Sequence, residues 1–203
     1  MTTEMSDEEV SAIREVWIRA KTDNVGKKIL QTLIEKRPKF AEYFGIQSKQ
    51  RQSLVLTQKL KAHRIQNFLD TAVGSLGFCP ISSVYDMAHR IGQIHFYRGV
   101  NFGADNWLVF KKVTVDQVTT GATDSSKEKD ETNSSGTANG KVETEANLIP
   151  IADINNVYSG ENCLARLGWN KLMTVIVREM KRGFLEEAMR NCKEEDNNGL
   201  LGA

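Results

Sequence analysis

The sequence predicts an all-α fold, and three observations support that prediction. Hydrophobic residues recur at intervals of three and four in one segment after another, which is the period of a helix with one buried face. Glycine and proline fall between those segments, where helices end. No segment alternates as a half-buried strand would. The 203 residues suffice for one domain with a sizeable core.

Two helices are predicted at the N-terminal end of the chain. The first opens at Ser6, whose spacing from Glu9 is that of a capping box, in which each residue bonds the backbone amide of the other. The second helix covers residues 25–36 and ends before Pro38, because proline cannot continue a helix interior. An aromatic corner follows over residues 40–45, closing on glycine.

Four longer helices are predicted in the remainder of the chain. Glycine marks the end of the first two, and a proline follows shortly after the first of them. The charged end of the last helix, residues 186–196, is predicted to be solvated. The four helices cover residues 53–76, 82–98, 103–118 and 160–192.

One segment, residues 119–147, departs from this helical pattern. It has no aromatic residue, and serine, threonine, asparagine, glycine and charged residues dominate it. Such a composition cannot bury enough surface to offset the entropy of ordering the chain. We therefore expect a disordered insertion inside a single domain of residues 6–192, with flexible tails at 1–5 and 193–203.

Composition and charge exclude several classes of function. The formal net charge is +1 and no basic cluster stands out, which argues against nucleic-acid and membrane partners. The three cysteines are widely spaced without a CxxC pair, which excludes a thiolate zinc site and suits a reducing compartment. The first residues are polar, unlike a signal peptide, and no apolar run approaches the ~20 residues of a membrane helix. We expect a cytoplasmic protein.

His95 is the candidate functional residue. Val84, Met87, Ala88 and Ile91 recur at helical spacing, and His95 lies one turn beyond Ile91 on the same face. Its imidazole should therefore point into an apolar interior. An interior accepts an imidazole that is neutral and whose ring nitrogens are bonded, and the bonding partner is either another core group or a metal such as iron.

The order of several residues along the chain resembles the globin family. Pro38 closes the second helix, Phe44 follows six residues later, and His95 lies on a later helix. The segment 82–100 is similar to the proximal segment of neuroglobin-like and invertebrate intracellular globins. The resemblance covers the whole chain except residues 119–147. It implies a globin fold of about seven to eight helices around a haem pocket, with His95 as the proximal axial ligand of iron and Phe44 against the haem face.

The resemblance also implies further residues of the pocket. Leu30 matches a distal-pocket position of the second helix, and Ile65, Ile91 and Val100 match other haem-contacting positions. Gly26 matches a glycine at which two helices of the family cross closely. No catalytic residue is predicted.

The distal residue is the point at which the sequence departs from the family, which usually has histidine or glutamine there. His63 is one candidate, but at ~100° per residue it lies roughly 130° from the centre of the apolar stripe of its helix, whereas Lys61 lies about 70° from it. Alignment with family helices also favours Lys61, whose stem can line the pocket while its ammonium reaches water or a haem propionate. His63 remains the alternative, as a distal axial ligand. We expect His89 on the solvated surface.

The resemblance implies a function. No CxxCH motif is present, so the cofactor should be non-covalent haem b. Its iron would bind oxygen or another diatomic gas reversibly, and we favour a sensory or redox role over bulk transport. Turnover of a nitrogen oxide with a reductase partner stays open, and the alternative is a haem-less globin fold used for interaction or signalling. No hydrolase triad or phosphate-binding glycine loop is evident.

Overall fold

The structure is a computed structural model that describes residues 5–46, 51–100, 103–120 and 160–199. For residues 51–54, 160–162 and 194–199 it describes the backbone alone. Seven α-helices and no strand lie within these ranges, which confirms the all-α prediction. Residues 119 and 120, the first two of the insertion predicted for residues 119–147, are helical, and the rest of that segment lies outside the described residues.

The helix bounds follow the predicted ones closely. Two differences stand out: the aromatic corner contains a short helix, and the last helix continues to Gly199, past residue 193, where we expected a flexible tail. That continuation has a local reason, since lysine and glutamate favour helix and no glycine or proline intervenes before Gly199. The helices are α1 (Asp7–Thr22), α2 (Val25–Lys36), α3 (Lys39–Tyr43), α4 (Arg51–Ser75), α5 (Ser82–Tyr97), α6 (Ala104–Thr120) and α7 (Gly160–Gly199).

The predicted capping box at the start of α1 is present. The Ser6 Oγ accepts from the Glu9 amide at 3.2 Å, and the Glu9 carboxylate accepts from the Ser6 amide at 3.0 Å. The Glu9 side chain is buried, and its second oxygen lies 2.5 Å from Lys171 Nζ on α7. The cap therefore also ties the first helix to the last.

The hydrophobic core is shared by the six longer helices: α7 packs against α1, α5 and α6, and α2 packs against α4 and α6. Trp17 of α1 and Trp169 of α7 pack together in this core, with ring centroids 5.7 Å apart. The Trp17 indole N–H donates to Asp70 of α4 at 2.7 Å, so the tryptophan satisfies its polar atom at the edge of the core. The other large side chains that are fully buried include Ile13, Ile29, Leu33, Phe40, Leu69, Leu172, Met173 and Ile176.

Glycine allows two pairs of helices to touch through their backbones. A Cβ at Gly26 of α2 would overlap the carbonyl oxygen of Ala62 in α4, at the crossing that the resemblance implied. A Cβ at Gly92 of α5 would overlap the carbonyl oxygen of Met180, and one at Gly183 of α7 that of His89. The helix that carries His95 therefore lies directly against the backbone of the last helix.

No helix in the described part of the chain combines the length and hydrophobicity that crossing a bilayer requires.

Candidate functional site

The turn that carries His95 is held by its backbone. Gly99 adopts a φ of 65°, the left-handed conformation that glycine permits at a helix C-terminus. Its amide donates to Phe96 O, and the Val100 amide donates to His95 O, both at 2.9 Å. These two bonds form a Schellman motif, so Gly99 ends the helix as predicted and the carbonyl of His95 is part of the cap.

The imidazole of His95 is oriented by its own helix. Its Nδ1 lies 2.7 Å from the carbonyl oxygen of Ile91, one turn earlier. Because a carbonyl oxygen can only accept, Nδ1 carries the proton and Nε2 carries the lone pair. Burial lowers the pKa of His95 and the charge of Arg98 lowers it further, although the bond to Ile91 opposes both. The ring is therefore neutral at pH 7, and it lies edge-on to the buried Trp107 with centroids 6.2 Å apart.

Lys61 of α4 shares its electrostatic surroundings with His95. Burial lowers the pKa of this partly buried lysine, and the charges of Arg64 and Arg98 lower it further. The charge of Arg98 thus lowers the pKa of both Lys61 on α4 and His95 on α5. Among the described residues, no carboxylate lies within ion-pair distance of Lys61, Arg64 or Arg98.

His63 lies on the outer side of α4. Its side chain is exposed, and its Nε2 lies 3.1 Å from the side-chain nitrogen Nδ2 of Asn67, one turn further along the same helix. Lys61 is the less exposed of the two candidate distal residues.

The other predicted pocket residues lie in two environments. Leu30 and Val100 are buried, yet they do not join the main hydrophobic core. Phe44, Ile65 and Ile91 are only partly buried and pack against the edge of that core, with the Phe44 ring stacked at 6.3 Å from the Phe40 ring. The helices α4 and α5 make little direct contact with each other.

A buried carboxylate next to the histidine turn was missed by the sequence interpretation. Glu187 of α7 is only 2% exposed, so the prediction that residues 186–196 are solvated is wrong at this position. It accepts from Gln93 Nε2 at 2.7 Å and from the Tyr97 hydroxyl at 2.6 Å, and Arg190 lies 3.2 Å away. The signal was present, because the buried spacing Ile176, Met180, Gly183 continues to Glu187.

The prediction for His89 is also wrong. Its side chain is 17% exposed rather than solvated, and its Nε2 lies 3.1 Å from Glu186 of α7. Its Nδ1 is buried and has no hydrogen-bond partner among the described residues. The cause is the glycine crossing: with Gly183 against the backbone of His89, α7 covers the side of α5 that its own hydrophobic pattern left exposed.

Two surface grooves are lined by other residues than those of this site. One of about 400 Å³ runs along the outer face of α1 toward Leu164, and one of about 370 Å³ lies between residues 37–39 and 103–106. Among the described residues, no three histidine, cysteine or acidic side chains converge as they would around a metal ion. No family model, curated protein or solved structure matches this chain.

Proposed function

We propose that this chain is a haem-binding protein of the globin type, with His95 as the protein ligand of the iron. The observation that carries the proposal is the state of the His95 imidazole, which is neutral, largely buried and bonded through Nδ1 to Ile91 O at 2.7 Å. A bond from Nδ1 to a backbone carbonyl leaves Nε2 as the basic nitrogen and orients the ring for a metal.

The surroundings of His95 suit a planar, mostly apolar cofactor with two carboxylates. Phe44 at the end of α3, Ile65 of α4 and Ile91 of α5 are partly buried and offer hydrophobic surface at the edge of the core. The cations Lys61 and Arg98, which have no carboxylate partner among the described residues, would complement the negative charge of the propionates.

Bound haem would supply reversible binding of a diatomic gas at ferrous iron and a one-electron redox couple. The chain itself would hold the iron from one side through His95. On the gas side the aliphatic stem of Lys61 would stand in place of the usual imidazole donor, while its ammonium reaches water or a propionate. We therefore favour a sensory or redox role over oxygen storage, because a weaker hydrogen bond to oxygen speeds its dissociation or the oxidation of the iron.

The test is reconstitution of the full-length protein with haem, followed by its visible spectrum. We expect a Soret band in the wild type that is lost or destabilised in His95→Ala and that imidazole restores in His95→Gly. His89→Ala is the matched control, since it removes a histidine from the same helix. A wild type without a Soret band, or a band unchanged in His95→Ala, would refute the proposal; the former outcome would favour the haem-less interaction module.

The distal residue is tested by iron coordination in the ferrous protein. If Lys61 stays charged on the distal side, the iron should be five-coordinate with His95 as its sole protein ligand. Resonance Raman spectra of Lys61→Ala and His63→Ala separate the alternatives. A six-coordinate wild type that becomes five-coordinate only in His63→Ala would show that His63, not Lys61, is distal.

Oxygen dissociation and autoxidation rates decide between the roles. Stopped-flow measurements should show rapid dissociation or rapid oxidation for a sensory or redox protein. Slow rates in both, with simple reversible oxygenation, would indicate storage instead. Steady consumption of a nitrogen oxide in the presence of a reductase would indicate an enzyme.

A further inference from the structure

The buried carboxylate of Glu187 on α7 bonds two residues of α5, one that precedes His95 in the sequence and one that follows it. The Glu187 Oε1 accepts from Gln93 Nε2 at 2.7 Å, and its Oε2 accepts from the Tyr97 hydroxyl at 2.6 Å. Gln93 precedes His95 by two residues and Tyr97 follows it by two. Each oxygen of a single side chain is therefore used to hold one flank of the histidine turn.

The helical period places these contacts behind the imidazole. At ~100° per residue, Gln93 and Tyr97 project within about 40° of each other, and their mean direction lies about 180° from that of His95. A link on that side resists rotation of the last turn about the helix axis. Such a rotation would swing the imidazole sideways, so the link controls the direction in which His95 points.

The burial of Glu187 adds to this argument. A carboxylate that is 2% exposed loses most of its hydration, and only good hydrogen bonds and a nearby cation offset that cost. Arg190, three residues further along α7, lies 3.2 Å from Oε1, but more than half of its side chain is exposed. Gln93 and Tyr97 thus supply the remaining bonds, and bonds to a charged acceptor are short and strong.

We propose that Glu187 is a positioning residue for His95, which sets the orientation of the imidazole by tying Gln93 and Tyr97 to α7. The inference rests on the proposed function, in which that imidazole binds haem iron. It predicts that the iron–histidine bond depends on a hydroxyl and a carboxylate that touch neither the cofactor nor the ligand.

Two conservative variants test the proposal, each with a matched control. Tyr97→Phe removes only the hydroxyl, and Tyr85→Phe makes the same change near the other end of α5. Glu187→Gln removes the charge, and Glu186→Gln makes the same change one residue earlier, at a half-exposed carboxylate that contacts His89. Urea denaturation of all four variants reports whether global stability has changed.

Three measurements are made on the full chain. In the ferrous haem protein, the iron–histidine stretching band should shift or broaden in Tyr97→Phe and Glu187→Gln but not in the controls. Haem loss to an excess of a scavenger protein should accelerate on the order of tenfold in these two variants. In the haem-free protein, hydrogen exchange of the amides of residues 93–99 should accelerate in the same two variants. The double variant Gln93→Glu/Glu187→Gln should restore the iron–histidine stretching band, because it rebuilds the bond between the two side chains with donor and acceptor reversed.

The outcomes are separable from those of the proposed function. A wild type that binds no haem refutes the proposed function, and the exchange measurement then decides on the link alone. A His95-dependent Soret band with wild-type values of all three measurements in Tyr97→Phe and Glu187→Gln would overturn this inference while leaving haem binding intact. Equal changes in the control variants would overturn it as well, since any weakening of the α5–α7 contact would then suffice.

Discussion

Replacement of Gly92 by alanine should destabilise the protein strongly for a change of one methyl group. The new Cβ would overlap the Met180 carbonyl oxygen and lie 2.7 Å from its carbon, whereas carbon atoms pack at about 3.5–4.0 Å. The new Cβ is fixed to the backbone of α5, and the atoms it meets belong to the backbone of α7. The two helices must therefore separate by about 1 Å, because neither partner can move aside by itself. Overpacking of this kind costs about 1–3 kcal/mol, and the unyielding partner places Gly92 at the upper end.

The gain in helix propensity offsets only part of that cost. Alanine is favoured over glycine by about 1 kcal/mol in a helix interior, so the free energy of unfolding should fall by about 2 kcal/mol. Such a loss is a large share of the 5–15 kcal/mol typical of folded proteins. Urea denaturation followed by circular dichroism measures it. The matched control is Gly74→Ala in α4, which meets nothing within 4 Å and should be neutral or stabilising.

A double variant sharpens the test. Gly183→Ala acts on the same crossing, where its Cβ would lie 2.9 Å from the carbonyl carbon of His89. Once Gly92→Ala has separated the helices, Gly183→Ala should cost less than it does alone. Wild-type stability of Gly92→Ala would refute the reasoning, and strict additivity of the two costs would show that they do not share one contact.

Three further predictions concern other parts of the fold. The bonds from Lys171 and Ser6 hold the pKa of Glu9 below its ordinary value of 4.5, so Glu9 stabilises the fold fully above that value and loses its contribution as pH falls through the lowered pKa; urea denaturation should show a smaller loss on acidification for Glu9→Gln. Trp17→Phe removes the bond to Asp70 and should cost about 1.5–3 kcal/mol in unfolding free energy, and the cost should be smaller in an Asp70→Ala background, where no acceptor remains for the indole N–H. A thiol reagent should label the native protein at all three cysteines, since each is exposed, and protection of any would contradict the structure: Cys79, Cys163 and Cys192.

The helices could be predicted from the sequence because the signals that define them are local. The spacing of Ser6 and Glu9 is enough to mark the start of α1, and Gly99 alone marks the end of α5. The approach of α5 to α7 could not be predicted in the same way. Gly92 and Gly183 each stand inside a helix, where a glycine taken singly shows only a weak propensity cost.

The residues of the candidate site differ in the same way: some can be identified from the pattern of their own helix, and others depend on contact with another helix. His95 could be identified because the phase of its own helix places it on a buried face. The phase of one helix cannot show which neighbour covers its remaining sides, and for that reason His89 was assigned to the surface. Glu187 was missed for a different reason: the charged composition of residues 186–196 was given more weight than the spacing that places Glu187 on the buried stripe of α7.

The contact of two backbones at Gly92 and Gly183 also has a mechanical consequence. No side chain lies between the helices there to deform, so the contact stops α5 from moving closer to α7 and favours a tilt about that point. His95 lies three residues further on, about 4.5 Å along the axis, so a tilt of about 5° displaces its backbone by only about 0.4 Å. The contact of Gly92 and Gly183 is thus a pivot point close to His95. Because the distance from this pivot to His95 is short, a tilt of α5 moves the His95 backbone very little, and a group bound to His95 moves equally little with it.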